Sequence, residues 1–430
     1  MKHKSRIKSF YTACFLGTGL FLSSCSFEKE INNQVIDIAS AMSNPIELKA
    51  ADYFKEIHYL PLETSDDCLI GRGAQVQIIG DKILITTRQL QCFLFDKTTG
   101  RFLHSVGHIG NDPGGYQNTN CWVDQQEQQI YFPAEADKEL VCYDDQGRYR
   151  GNWLAPVSMV SSATFSRYDQ HTMIAYIPGT IKLNNALDSL CFFNKESLES
   201  TSAVSKANTI PFSYDQVTQF NIYNGEKAME LFGPVGLHGV LFIPTKDPDI
   251  TYFQLQGTTH FWSVGSDFYF KGDFNDTIYQ VVDRQLHPSR FFHLGTYHWP
   301  AAERMKRRND HTIFITDILE KDDFLFFRYI VAPLDQNGDN RTLYHGMFDK
   351  STGETRVGLM KQGFVNDIDG FMPLQPYTLS PQQECVGILH AYEITAWFEE
   401  HSDQTVRLPE KVQALKNIDE EDNPVIVFFD

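Results

Sequence analysis

Cys92-Phe93-Leu94-Phe95-Asp96-Lys97-Thr98-Thr99-Gly100-Arg101-Phe102 carries the pattern from which the fold follows. An apolar run ends in an aspartate, a polar turn closes on a glycine, and an aromatic run begins. The same order recurs at Tyr143-Asp144-Asp145-Gln146-Gly147-Arg148-Tyr149 and at Phe348-Asp349-Lys350-Ser351-Thr352-Gly353-Glu354-Thr355. Short apolar runs bounded by Asp, Thr and Gly read as strands joined by tight turns. Outward from the first copy, Gln75–Ile79, Gly80-Asp81 and Lys82–Thr86 precede it, and Arg101–Val106 completes four strands of an antiparallel meander. A second unit repeats the plan through Cys121–Asp124, Gln129–Phe132, Leu140–Asp144 and Arg148–Trp153. Four-strand units that recur at a period of about 40–50 residues mark a β-propeller.

The remaining strands fall into the same scheme. Met173–Ile177 and Leu190–Asn194 read as a third blade and Val240–Ile243 as part of a fourth. Thr251–Leu255, Phe261–Val264, Asp267–Phe270 and Thr277–Val282 read as a fifth. Thr312–Thr316, Phe324–Tyr329 and Leu343–Phe348 read as a sixth. A ring of blades has to close, so Ile57–Leu60 is expected to complete the last blade. Pro381 to about Leu415 is compatible with a helical insertion before a final strand, Val425–Phe429. The expected fold is all-β: a six-bladed β-propeller of four-stranded antiparallel blades over residues 51–430, with a small helical insertion near the C-terminus.

The N-terminus is of another kind. Lys2, Lys4, Arg6 and Lys8 precede an apolar run from Ala13 to Leu22, too short to span a bilayer permanently. Small residues follow in Leu22-Ser23-Ser24-Cys25. Charged start, apolar core and small-residue cleavage site make residues 1–24 a secretory signal. The site also resembles a bacterial lipobox, which implies cleavage between Ser24 and Cys25 and acylation of Cys25. Several acyl chains on one residue form a stable anchor, because each buried methylene contributes roughly 0.8 kcal/mol. Residues 25–50 are then the lipidated N-terminus and tether. The stretch Ser26-Phe27-Glu28-Lys29-Glu30 resembles weakly the acidic segment of surface-exported lipoproteins, and reads first as a solvated linker.

The formal charge of −18 includes the four positive charges of the signal, so the mature chain carries −22. Such a chain is repelled by phosphate backbones, which disfavours nucleic-acid binding. Cys68, Cys92, Cys121, Cys142, Cys191 and Cys385 show no CxxC pair or other metal-ligand spacing. One or two disulfides are compatible with export, and spacing assigns none.

Further residues extend the pattern into a resemblance. Tyr59-Leu60-Pro61-Leu62-Glu63-Thr64 is followed by Leu69-Ile70-Gly71, and then by the loop Gly107-His108-Ile109-Gly110-Asn111-Asp112-Pro113-Gly114-Gly115-Tyr116. Asn275-Asp276-Thr277-Ile278-Tyr279 and Glu421-Asp422-Asn423-Pro424-Val425 come later. In this order the chain resembles the six-bladed β-propeller lipoproteins of gut-type Bacteroidetes, related to NHL-repeat propellers. The resemblance implies the fold and an outer-membrane lipoprotein, and no chemistry. The loop of that family runs closer to Gly-x-Gly-Pro-Gly-Glu-Tyr. Here Asp112 stands at the glycine and Gly115 at the glutamate, which removes any ligand role of that glutamate.

The remaining candidates are weighed by the chemistry they would need. The loop with Gly107, Gly110, Pro113, Gly114 and Tyr116 lacks the strand-to-helix step of a phosphate loop and reads as an inter-blade crossover. Asp276 and Thr277 read as a backbone-bonding turn. Asp335-Gln336-Asn337-Gly338-Asp339-Asn340 alternates oxygen side chains as a calcium loop does. It lacks the glycine at its sixth place and the glutamate at its twelfth, Gly346, and reads as a hairpin tip. No HExxH or GxSxG motif occurs. His104 and His108 are four apart, but in a strand and a loop they need not share a face; His287, His293 and His298, near Trp299, are candidates for a top-face or channel site. Some of Tyr116, Trp122, Trp153, Trp262, Trp299 and Trp397 are candidates for stacking on a ligand, and most are expected in the core. The expected function is an envelope binding or scaffolding module for a glycan, a peptide or an envelope protein, with no cofactor. The alternative is a hydrolase or lyase holding Ca²⁺ or Zn²⁺ in the central channel.

Overall fold

The protein is described by a computed structural model, which covers residues 34–134, 138–155, 163–178, 189–197, 199–204, 214–306, 311–335 and 340–430. The repeated aspartate turn explains the local structure. Asp96 Oδ1 accepts from the backbone N–H of Thr98 and Thr99 at 3.1 and 2.7 Å. Asp144 does the same for Gln146 and Arg148 at 2.9 and 2.8 Å, and Asp349 for Ser351 and Thr352 at 2.7 and 3.0 Å. Asn194 is a fourth copy, accepting from Glu196 and Ser197 at 2.9 Å each. In each case a short polar side chain bonds the turn that links a blade's third strand to its fourth. Gly100, Gly147 and Gly353 follow with φ of +70°, +68° and +76°, a region that L side chains rarely adopt.

Six sheets form the ring. The first blade contains Gln75–Ile79, Lys82–Thr86, Cys92–Asp96 and Phe102–Ser105. The second contains Trp122–Asp124, Gln129–Pro133, Glu139–Asp144 and Tyr149–Leu154, and the third Thr164–Arg167, Thr172–Ile177, Ser189–Asn194 and Ser200–Val204. The fourth is Phe261–Val264, Asp267–Phe270, Thr277–Val282 and Gln285–His293. The fifth is Ile313–Glu320, Phe324–Val331, Thr342–Asp349 and Thr355–Leu359. The sixth is assembled from both ends of the chain: Thr378–Leu379, Cys385–Leu389 and Val425–Phe429, with Ile57–Pro61 outermost.

Each neighbouring pair of blades buries its own core. Leu84 and Leu94 meet Phe132 and Val141 between the first and second blades. Tyr131 and Leu140 meet Phe165 and Met173 between the second and third, and Tyr176 and Phe192 meet Phe268 and Phe270 between the third and fourth. Ile278 and Phe292 pack on Leu325 and Phe327, and Phe324 and Phe326 on Val425 and Phe429. Ile426 and Phe428 against Ile83 and Phe95 close the circle. Each such side chain contributes about 1.5–3 kcal/mol when fully buried, so the face-to-face packing holds the ring. The clasp is the pairing of Ile57 with Phe429 through Pro61 with Val425. It fulfils the expectation for the N-terminal strand.

The assignment of strands to blades differs from the sequence reading. Val240–Pro244 is not a ring blade. It pairs with Asn221–Tyr223 and Thr251–Leu255 in a separate three-stranded sheet. The third blade packs directly on the fourth, which leaves no gap for another blade. This sheet instead buries Phe242, Phe253 and Leu255 on Phe314 and Ile330 of the fifth blade and on Trp299 of the segment before it. The sixth blade is the C-terminal one, so what was read as the sixth is the fifth.

Two boundaries also move. From Val35 the expected tether is already folded: Val35–Asp37 runs parallel to Phe291–His293, and Ile36 and Ile38 are fully buried. An apolar residue at every second position gives this segment a face to bury. Cys385–Leu389, inside the expected helical insertion, is a fully buried strand, and the helix is Ala391–Glu400. His390 caps it, its N–H donating to Glu393 at 3.2 Å, and Ala391, Ile394 and Phe398 form its buried face. None of the six cysteines after Cys25 forms a disulfide. Among the described residues no helix is long and apolar enough to cross a membrane. Ser24 and Cys25 lie outside the described residues.

Candidate functional site: the axial cavity

The first strand of each blade lies nearest the axis, and together these strands surround a cavity of about 710 Å³. In the first blade the alternation is plain: Val76 and Ile78 are buried in the blade core, while Gln75 and Gln77 on the other face line the cavity. The separate three-stranded sheet belongs to a module that reaches over one mouth of the ring. Arg88 of the first blade donates to Asn224 at 2.6 Å, and Asn120 donates to the carbonyl of His238 at 3.3 Å. On the fifth-blade side, Arg341 lies 4.3 Å from the ring centre of Phe232. Leu237 and His238 thereby become part of the cavity wall. His238 is half-buried overall, and desolvation of its ring pushes the imidazole down to about 4.

Two carboxylates of the wall, Asp124 and Glu320, are held by basic side chains. Asp124 is clamped by the Arg167 guanidinium, whose Nε lies 3.0 Å from each carboxylate oxygen, and Arg167 also reaches Glu127 at 2.7 Å. Burial alone would lower the Arg167 pKa, but Asp124 and Glu127 raise it above its usual range. Glu320 is held by Arg290 at 2.6 Å, Lys350 at 2.7 Å and the indole N–H of Trp262 at 2.7 Å. Asp317 accepts from the Thr316 hydroxyl at 2.8 Å and lies 3.8 Å from Arg328. Burial raises its carboxyl, which these partners only partly oppose. What the wall offers a ligand is therefore amides, hydroxyls and aromatic surface: Gln75, Gln256, Ser166, Ser263, Trp122 and Trp262 among them.

Where the third and fourth blades meet, His260 is 5% exposed and bonded on both ring nitrogens. Nδ1 lies 2.9 Å from the Thr164 hydroxyl, and Nε2 lies 3.1 Å from both Asp273 Oδ1 and the Thr258 hydroxyl. Burial pushes the Asp273 carboxyl up, but His260, Lys271 and Arg304 more than offset this and hold it below the usual range. Burial lowers Lys271, against the pull of Asp273 and Asp276.

Of the residues singled out from the sequence, Trp122 and Trp262 line the cavity, whereas Tyr116 and Trp299 are core and Trp153 and Trp397 are half-buried elsewhere. Gly107, Gly110, Pro113, Gly114 and Tyr116 form the crossover between the first two blades. His108-Ile109 pairs in parallel with Gly115-Tyr116, and Tyr116 stacks on Phe132 while its hydroxyl donates to Val106 at 2.7 Å. Gly115 has a local reason: a Cβ there would collide with the carbonyl of Gly110. His108 pairs with Asp112 at 2.9 Å, and His293 with Asp37 at 2.8 Å, both on exposed outer positions. In the 275–279 turn it is Asn275 that bonds the backbone, accepting from Thr277 at 3.0 Å, while Asp276 pairs with His298. That corrects the sequence reading of Asp276. The expected hairpin tip lies between two strands of the fifth blade, with residues 336–339 outside the described residues. Among the described residues no three His, Cys, Asp or Glu side chains come together as a metal-ligand set. His238, His260, Asp124 and Arg167 were missed, because each lies on a different blade or loop and no linear motif joins them.

Residues 33–430 match a family described as a domain of unknown function, DUF4934. The chain belongs to that family. No curated protein matches this DUF4934 chain. Among solved structures, a putative exported protein from Bacteroides fragilis NCTC 9343 is similar over 92% of this chain and 99% of its own, with TM-score 0.57 and 14% identity. The likeness concerns the fold. U3-55K is similar over 89% of this chain and 99% of its own, at 10% identity and TM-score 0.36. BamB from Moraxella catarrhalis is similar over 63% and 71% of the two chains, at 13% identity and TM-score 0.25.

Proposed function

We propose that this chain is an exported cell-envelope lipoprotein, anchored to the outer membrane through Cys25, whose axial cavity binds an uncharged, hydroxyl-rich ligand such as a glycan. The observation that carries the reading is the pairing of Asp124 and Glu320 with basic side chains in the wall. With Asp124 held by Arg167, and Glu320 by Arg290 and Lys350, a charged ligand would have to break a buried pair, at a cost of roughly 3–5 kcal/mol. A sugar needs no such exchange. Its hydroxyls match amide and hydroxyl side chains, and its apolar ring face matches the indoles of Trp122 and Trp262. The signal-like N-terminus and the exported description of the similar Bacteroides fragilis protein support the location.

The test is a thermal-shift screen of the chain beginning after Cys25, against neutral glycans, acidic glycans and peptides. A ligand that binds only the folded state raises the melting temperature. Stabilisation by a neutral glycan that is lost in Trp122→Ala and Trp262→Ala is expected. Stabilisation by peptides alone, or by acidic glycans alone, would reject the reading.

A further inference from the structure

We infer that Thr164, His260 and Asp273 form an acyl-transfer centre in the cavity wall, with an ester as its substrate class. The inference is independent of whether the bound ligand is a glycan. It begins with hydrogen-bond direction. The Asp273 carboxyl lies below its usual range, where Lys271 and Arg304 also favour the carboxylate, so it accepts. The tautomer that this carboxylate favours has the ring proton on His260 Nε2, 3.1 Å away. In the tautomer with the ring proton on Nε2, Nδ1 presents its lone pair to the Thr164 hydroxyl 2.9 Å away, which donates to it. A hydroxyl directed at an imidazole whose far nitrogen is bonded to a carboxylate is the arrangement that activates an alcohol for attack.

The surroundings fix this geometry. The N–H of Asp273 donates to the Tyr176 hydroxyl at 3.1 Å, and the Tyr176 ring lies 4.4 Å from the His260 ring. Thr164, Thr258 and His260 all line the cavity, so an ester bound there meets the hydroxyl directly. In the reaction Thr164 Oγ forms a bond to the ester carbonyl carbon as its proton passes to His260 Nδ1. The C–O bond to the alcohol breaks, and the alcohol leaves with that proton. Water then repeats the sequence on the acyl-threonine, releasing the acid and restoring Thr164. Asp273 is a positioning residue. It holds the ring tautomer and the charge that His260 gains, without touching substrate.

The test uses p-nitrophenyl acetate with the chain beginning after Cys25, read by nitrophenolate release and by peptide mass mapping. Acetylation at Thr164 is expected, together with at least a hundredfold loss of turnover in Thr164→Val and His260→Gln. Thr164→Ser keeps the hydroxyl and retains activity. Asp273→Asn lowers kcat and shifts the pH profile of kcat, whereas a smaller folded fraction would scale kcat without moving that profile. Thr164→Val is nearly isosteric and preserves the blade, so the proposal stays testable if the His260 variant fails to fold. Turnover unchanged in Thr164→Val, or no acetylation at residue 164, overturns the assignment.

Discussion

His345 gives the sharpest handle on stability. It is 1% exposed on the third strand of the fifth blade, directly opposite Arg328, which in turn faces Asp317 on the blade's first strand. Its ring lies 5.1 Å from that of Phe364 and 6.2 Å from that of Phe326. Burial, reinforced by the charge on Arg328, pushes its imidazole from 6.5 down to about 3. The folded-state pKa is thus depressed below the unfolded one. Folding is unburdened above pH 6.5 and loses stability as the pH falls toward 3, because only the unfolded chain can take the proton. At pH 5 the penalty is about 2 kcal/mol, and it reaches about 4 kcal/mol near pH 3. Asp317 works in the opposite sense: its carboxyl is raised by burial, so its protonation relieves a cost as the pH falls. Comparison with His345→Gln isolates the imidazole, since the amide stays neutral throughout. Urea unfolding at pH 7.5 and pH 5.0 should show the wild-type chain losing about 2 kcal/mol more than the variant across that interval. Equal losses in the two proteins would mean that His345 is protonated in the folded state, and the reasoning would fail.

Two further outcomes follow from the crossover loop and the N-terminus. Tyr116→Phe removes the donor to the buried Val106 carbonyl and should lower stability by about 1–2 kcal/mol, read as a shift in the urea midpoint. An unshifted midpoint would show that the loop does not depend on this bond. Cys25→Ser in the full chain should move the protein from the membrane pellet to the soluble fraction and abolish incorporation of labelled palmitate. Persistence in the pellet after a carbonate wash would sink the lipid anchor.

Local chemistry made the blades legible. The turn at Asp96–Gly100 needs an oxygen acceptor and a residue at positive φ within five positions, and both are visible in the chain as written. The Ile57–Pro61 clasp was legible for a topological reason, because a ring must pair its last edge. The fourth blade was misassigned at Val240–Pro244 because an apolar run declares only that it is buried. Phe242 is covered by Phe253 and Phe232, inside a sheet that reaches the ring only at its rim, and nothing in the run itself distinguishes that cover from a blade neighbour. The count of six survived because the misassigned sheet and the unrecognised C-terminal blade offset each other.

The site was illegible for a reason built into the same architecture. Thr164 and His260 are 96 residues apart in sequence and meet only once the third and fourth blades have packed. A signal was nevertheless present in the first strands of the first and third blades, where polar residues alternate with apolar ones: Gln75 and Gln77 beside Val76 and Ile78, Thr164 and Ser166 beside Phe165. Alternation assigns the two faces to different work. Phe165 and Val76 bury into the clusters that bind blade to blade, while their neighbours turn to the axis. An exchange of Gln75 or Ser166 therefore leaves the inter-blade cores intact, and a change at Phe165 does not. Ligand choice and stability are carried by adjacent residues on opposite faces of one strand, so cavity variants such as Thr164→Val can report on chemistry without first unfolding the ring.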